Sequence, residues 1–418
     1  MNNTIQGQLL PFSVSTGKNY LLLFIIWPFL AFITAIANYS SKEAKKVVYI
    51  FLIYYGFTFV MTEIGIDAER YAMTLRRTAE LPFSDFFKIV GGLYTDTSVD
   101  IMSPLVMFII SRFTSSYNVL FAVWVAIFGF FYLKSISLLH DRYSLMPGLS
   151  ALIIMVFFIM IMPVTTITGI RMPVATWIFF YGAYHVVLKR DYRYLLLALS
   201  SSLVHWSFLS ANAVLLIYYF AGNRNLIYIP IVIASFIMPH LMAPVFQSLA
   251  LQLGGPIQSR YEGYSSEGYI LGIQESYEQA PWFLTLSENL VFYYLIILIV
   301  FIQLINGNLM KGKDERNLFS FLLLFLSFVN FGKVIPTFGG RFQVVFYLFA
   351  TLYVFLYFVK MPGTRINLLT LIGLFPIALY IAVIFRIGSE TINAWIFTPG
   401  LGSPFLTSGL SLADLLFN

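Results

Sequence analysis

The sequence has no cysteine, which removes thiol nucleophiles, thiolate metal sites and any disulfide framework. Charge is scarce as well. Asp, Glu, Lys and Arg make up 11% of the 418 residues, against about 25% in an average soluble domain. Histidine occurs only four times, and no His/Asp/Glu set has metal-ligand spacing. There is no glycine-rich phosphate loop, so nothing marks a nucleotide site. The apolar runs do not alternate with period two, which argues against an outer-membrane barrel. The N-terminus shows neither a basic region nor a small-residue cleavage site, so no removable signal peptide is expected.

What the sequence does have is apolar length: 59% of residues are hydrophobic and the mean hydropathy is +0.82. Apolar runs lie near 20–38, 46–62, 117–134, 148–164, 170–188, 226–240, 288–306, 317–333, 342–360 and 367–385. Each approaches the ~20 residues that span hydrocarbon. Another run, 195–220, is interrupted by "SSSLVHWS". The expected fold is therefore an all-α polytopic membrane protein of about 10–12 transmembrane helices, one integral membrane domain over 1–418.

Short basic loops orient it. "SKEAKK" (41–46), "KRDYR" (189–193), "KGKDER" (311–316) and "KMPGTR" (360–365) belong in the cytoplasm by the positive-inside rule. Residues 63–116, 165–171, 241–287, 334–341 and both termini then face outward. Under this layout 101–113 is a short interfacial or re-entrant helix, and 195–220 a tight hairpin or re-entrant pair. The pI of 9.2 reflects these loops, and no nucleic-acid partner is indicated.

Arg171 lies at the outer mouth of one helix, after Gly169 and before Pro173. Proline suits a first helical turn, where its missing N–H costs nothing. Unpaired N–H groups, the helix dipole and a guanidinium all favour an anion there, and phosphate fits the guanidinium fork best. The bland alternative is an arginine that snorkels to the interface or pairs with a loop carboxylate. The pattern recurs in "IPTFGGRFQVVFYLF" (335–349), where glycines precede Arg341. Two such mouths on one side would hold a diphosphate between them, if the helices are neighbours.

The outer loops carry further chemistry. "EIGIDAERYAMTLRRTAE" (63–80) supplies Asp67, Arg70 and Tyr71, and "IQSRYEGYSSEGYILGIQESYEQAPW" (257–282) supplies Arg260, Tyr261, Glu262 and Tyr264. Carboxylates that accept hydroxyl hydrogen bonds, beside aromatic faces that cover C–H faces, suit a sugar. An ordinary interfacial tyrosine belt would look similar. His205 breaks its apolar run with a titratable group that serves a cavity or a structural hydrogen bond. His140, His185 and His240 have no comparable company and are read as structural.

Taken in order, "GIDAERY", "TGIRMPVATWIFFYGAY", "KRDYRYLLLALSSSLVHWSFL" and "GGRFQVVFYLF" resemble the EpsG family of Wzy-type polysaccharide polymerases, over roughly 20–360. The resemblance implies a glycosyltransferase, with a GT-C-like helical fold and no cofactor. It implies that a growing O-antigen, capsule or exopolysaccharide chain moves from undecaprenyl diphosphate to the next lipid-linked repeat unit, at the outer face of the bacterial inner membrane. Its partners would be the bilayer, the undecaprenyl-diphosphate-linked oligosaccharide, and a chain-length regulator and flippase of the same pathway. The family's motif positions fall on Gly65, Asp67 and Tyr71, on Arg171 with Gly182, on His205 and on Arg341.

Such a transfer needs cations for the leaving diphosphate, here Arg171 and Arg341, without calling on a metal. It also needs a base for the acceptor hydroxyl: Asp67, His205 or Glu262, in no order the sequence enforces. Arg70, Tyr71, Arg260, Tyr261 and Tyr264 would line the glycan. A flippase or transporter of the lipid-linked oligosaccharide would favour an inverted repeat and midplane charges, and neither is found. An O-antigen ligase differs mainly in its acceptor, and a non-enzymatic assembly partner would need few spans and a large soluble segment.

Overall fold

The computed structural model describes residues 17–61, 67–85, 100–146, 148–335, 337–361, 367–406 and 409–417. Among them the fold is helical throughout, with a single isolated β-bridge between Asn393 and Ser411. Three helices open the chain: α1 (Gly17–Ile26), α2 (Pro28–Ala37) and α3 (Lys42–Phe57). Pro28 starts α2, and the Ser41 hydroxyl caps α3 by accepting the Ala44 N–H at 3.1 Å. Then come α4 (Asp67–Ala79), α5 (Met102–Ser111), α6 (Tyr117–Tyr143), α7 (Leu149–Ile161), α8 (Arg171–Lys189) and α9 (Arg193–Val204). Next are α10 (Phe208–Ala221), α11 (Asn225–Ile237), α12 (Ala243–Leu253), α13 (Gly255–Ser265) and α14 (Glu267–Gln279). Four long helices follow: α15 (Trp282–Asn306), α16 (Lys313–Gly332), α17 (Phe338–Lys360) and α18 (Leu368–Gly388).

This is an all-α polytopic membrane protein. Among the described residues five segments are long and apolar enough to cross a bilayer: Tyr117–Tyr143, Leu149–Gly169, Trp282–Met310, Phe338–Lys360 and Leu368–Gly388. A sixth is reached if Asn225–Ile237 and Pro239–Leu253, bent by 104°, form one broken span. The remaining apolar runs give helices that are shorter, such as α9 and α10, or that begin on charged residues, as α8 and α16 do. Length and composition therefore credit fewer spans than the sequence pattern led us to expect. The run 195–220 is two helices, with His205–Ser207 as the break.

Helix α17 is the hub, buried without interruption from Val345 to Phe358. It packs against α7, α15 and α16. In lipid, helices gain little from apolar burial alone, so polar bonds and close approaches must add to van der Waals packing. Between α15 and α17 the Tyr347 hydroxyl donates to the Glu288 carbonyl at 2.7 Å, and the Asn306 side-chain amide donates to Tyr357 at 2.8 Å. Phe180 and Phe321 both meet Phe349, with ring centres 4.8 and 5.0 Å apart. That ties α8, α16 and α17 together.

One end of the bundle is locked by charge. Asp314 takes Arg142 at 3.2 Å and Lys189 at 3.0 Å, while its neighbour Glu315 takes Lys360 at 2.6 Å. Lys189 and Lys360 close α8 and α17. The two helices therefore run in the same direction, and their first turns, with Arg171 and Arg341, open at the opposite end.

Gly182 shows what sets the α8–α9 spacing. A Cβ there would lie 2.7 Å from the Ala198 backbone nitrogen, whereas one at Gly169 would meet nothing within 4 Å. Overpacking of this kind costs about 1–3 kcal/mol. We expect Gly182→Ala to lower the thermal midpoint in detergent by several degrees and Gly169→Ala to leave it unchanged. Equal midpoints for the two variants would show that the helices separate without cost.

Candidate functional site

The mouth of α8 is entered through a tight 3-10 turn over Val164–Gly169. The unusual backbone falls on Ile170, at φ 25°, and not on the glycine before it. Positive φ is rare for a β-branched residue and costs on the order of 1–3 kcal/mol. Complete burial of the Ile170 side chain holds it there. Pro173 occupies the first turn of α8, as its chemistry requires.

Arg171 is gripped from two sides. Its Nε donates to the Tyr71 hydroxyl at 2.8 Å, and its Nη1 pairs with Asp100 Oδ2. The pairing with a loop carboxylate, the alternative weighed from sequence, is thus present, and it uses only part of the guanidinium. Nη2 makes no hydrogen bond among the described residues.

Asp100 is the residue that sequence reasoning missed. Its side chain is 5% exposed. Oδ1 accepts the Trp206 N–H at 2.7 Å and lies 3.6 Å from His205 Nδ1, just beyond hydrogen-bond length. Burial by itself raises this carboxyl, but His205, Arg171 and the Trp206 N–H outweigh it and hold it below the usual 3.8. Three stretches of chain meet at this one carboxylate, the segment before α5, the start of α8 and the break between α9 and α10, and α4 joins them through Tyr71 on Arg171.

The second mouth is built in a parallel way. Thr337, at φ 64°, precedes α17, so here too a β-branched residue takes the left-handed conformation. Arg341 Nη1 donates to the Tyr264 hydroxyl at 3.3 Å, with its guanidinium 5.5 Å from that ring's centre. Tyr269 and Thr337 share a hydroxyl hydrogen bond of 3.1 Å. A further cation, unremarked in the sequence, is Lys333, whose Nζ lies 3.8 Å from the Phe292 ring centre. The close approach of Gly339 to its backbone nitrogen, 2.5 Å for an added Cβ, brings Lys333 alongside the start of α17. The two mouths are linked through Phe208, which packs on Phe342 at 5.4 Å and lies 6.3 Å from His205 between ring centres.

The other sequence candidates are more dispersed. Asp67 pairs with Arg70 on α4, one turn before Tyr71. Glu262 accepts from Gln258 at 2.8 Å on the exposed helix α13, which also carries Tyr261. Gly65 and the side chain of Arg260 lie outside the described residues. His185 stacks on Tyr194 at 4.0 Å and His140 meets Tyr39 edge-on at 5.1 Å. No group of three or more His, Asp or Glu that would hold a metal occurs among the described residues.

Residues 47–396 match the EpsG family. No curated protein and no solved structure matches the chain.

The buried pair makes an acid-linked prediction. A carboxyl held below its unfolded value stabilises the fold above about pH 4, and that stability is lost as pH falls through the folded value. Removing its partner at neutral pH leaves a buried charge, at a cost of about 3 kcal/mol. We expect Arg171→Ala to melt well below wild type at pH 7. Asp100→Asn should also melt lower at pH 7, and the gap to wild type should close on acidification below about pH 4. A gap constant with pH would mean that the carboxylate's charge contributes nothing.

Proposed function

The chain belongs to the EpsG family, and from that premise we propose that it is a polysaccharide polymerase. It transfers a growing glycan from undecaprenyl diphosphate to the next lipid-linked repeat unit, at the outer face of the bacterial inner membrane. The observation that carries this reading is the convergence at one end of the bundle. Two helix mouths, with Arg171 and Arg341, adjoin His205 and the buried Asp100.

In the transfer, the acceptor hydroxyl oxygen bonds to the anomeric carbon of the donor glycan. The bond from that carbon to the diphosphate oxygen breaks, and the electron pair leaves with the diphosphate. Arg171 through Nη2, Arg341 and Lys333 face this growing charge, together with the open N–H groups of α8 and α17. The reading assigns charge stabilisation to these cations and not to a metal ion. Of Asp67, His205 and Glu262, His205 is the candidate base seated in the cluster. Tyr71 and Tyr264, each bound to one of the arginines, border the space for sugar, with Arg70, Arg260 and Tyr261 farther along the same loops. A flippase would deliver the lipid-linked units, and a chain-length regulator would set when transfer stops.

Both termini and the segments 63–116 and 241–287 face away from the cytoplasm in this arrangement. The absence of native cysteine allows single cysteines to be placed at Thr74, Ser265 and Lys313, all of them exposed. An impermeant thiol reagent should label the first two in cells with a permeabilised outer envelope, and the third only after lysis. Labelling of position 313 alone before lysis would invert the layout.

The activity test is genetic and then biochemical. A deletion strain should accumulate single lipid-linked repeat units, whereas loss of a flippase would leave them unexposed at the surface. Arg171→Lys and Arg341→Lys keep the cation but lose the planar fork. Each should slow polymer formation roughly a hundredfold, the cost of one oxyanion donor elsewhere. Arg386→Lys, in a surface pair with Glu390, should behave as wild type. Near-normal polymer from both mouth variants would reduce these arginines to anchors.

A further inference from the structure

We propose that Asp100 is a positioning residue: it fixes His205 in the tautomer protonated on Nδ1, so that Nε2 is the base, and orients Arg171 with Nη2 left for the diphosphate. The inference rests on the polymerase reading for its reaction, but its geometry stands apart from it.

Both oxygens of the Asp100 carboxylate are engaged. Oδ1 accepts the main-chain N–H of Trp206 and faces Nδ1 of the adjoining residue, His205, at 3.6 Å. Oδ2 holds Nη1 of Arg171. A single rigid group therefore sets the imidazole and the guanidinium relative to each other. His205 Nδ1 is buried and has no hydrogen-bond partner among the described residues. A lone pair there would confront the carboxylate oxygen in a dry site, acceptor against acceptor, and electrostatics forbids this where screening is weak. A proton on Nδ1 turns the same contact attractive and needs only a small closure to become a hydrogen bond. Nε2 then carries the lone pair.

Among the described residues the charged and titratable groups around the imidazole are few. Arg171 comes from α8 and Tyr71 from α4, with Asp67 one turn away on α4. Phe208 covers one side. In the reaction, the acceptor hydroxyl gives its proton to Nε2 as its oxygen bonds to the anomeric carbon. The diphosphate departs with the electron pair of the broken bond. The imidazolium formed sits beside the Asp100 carboxylate, which stabilises it, and then yields its proton to water.

Sequence alone could not supply this role. Asp100 lies 71 positions from Arg171 and 106 from Trp206, and nothing beside it in the chain marks it.

The test reads the tautomer directly. The full chain, labelled with 15N-histidine and reconstituted in liposomes, gives signals for four histidines, and His205→Gln identifies the one of interest. At pH 8 that signal should be the Nδ1–H form in wild type, and it should shift to a mixture or to Nε2–H in Asp100→Asn. In parallel, polymer formation from lipid-linked repeat units should fall about a hundredfold or more in Asp100→Asn, the usual share of a general base. Asp100→Glu should retain the Nδ1–H form and recover part of the rate. A wild-type His205 protonated on Nε2 overturns the proposal whatever the assay shows, and this outcome does not depend on any Asp100 variant folding. A tautomer and rate both unchanged in Asp100→Asn would overturn it too. If the wild-type chain makes no polymer at all, the polymerase reading fails separately, and the tautomer still decides what Asp100 does.

Discussion

The buried carboxylate of Asp100 is the contact on which the mouth of α8 depends. A carboxylate removed from water is costly unless several partners return what hydration supplied. Here those partners come from two other stretches of chain: a guanidinium from the start of α8, and a main-chain N–H and an imidazole edge from the break between α9 and α10. None of the three can be withdrawn without exposing the cost of the rest, so the stretches assemble as a unit. The short loop helices depend on it most. Helix α4 buries only one face, through Ala68, Tyr71, Ala72, Leu75 and Thr78. It is held at one end by Tyr71 on Arg171 and at the other by Arg112, which donates to the carbonyls of Thr78 and Leu81.

The membrane bundle supplies the rigid frame behind this contact. Its own cohesion follows from a different physics, in which hydroxyls, amides and glycine contacts join helices that lipid would solvate equally well. At the far end Arg142, Lys189 and Lys360 are taken up in ion pairs, whereas Arg171 at its mouth keeps Nη2 without a partner among the described residues. That asymmetry separates the structural end of the molecule from the end where chemistry is assigned. Both mouths are also entered through β-branched residues at positive φ, Ile170 and Thr337. Backbone strain at two equivalent places, beside two equivalent cations, is the pattern found where geometry is held for function.

Legibility in the sequence divides along contact range. The helical membrane class was readable because apolar length and charge scarcity are properties of runs. Arg171 and Arg341 were readable because a cation beside glycines at the end of such a run is conspicuous locally. The break at His205 was readable for the same reason. Asp100 was not, since every partner that makes it unusual lies far along the chain. Glu262, which its aromatic surroundings made conspicuous in the sequence, sits on an exposed helical face bonded to a glutamine. The helices α12, α13 and α14 were also hidden, because in 241–287 polar and apolar residues mix without the long run that marked the others.

The ion pairs of Asp314 and Glu315 have a mechanical consequence. Helices α8 and α17 end on lysines bound to these two adjacent residues, so their far ends are tied to one point. Relative motion is left mainly as rotation about that fixed end, and displacement grows in proportion to distance from it. Helix α8 has 19 residues and is therefore about 28 Å long. A tilt of about 5° would move its first turn by about 2.4 Å over that length, while the lysine end stays in place. The bundle is a lever whose fulcrum lies at one surface and whose working tips, the two arginines, lie at the other.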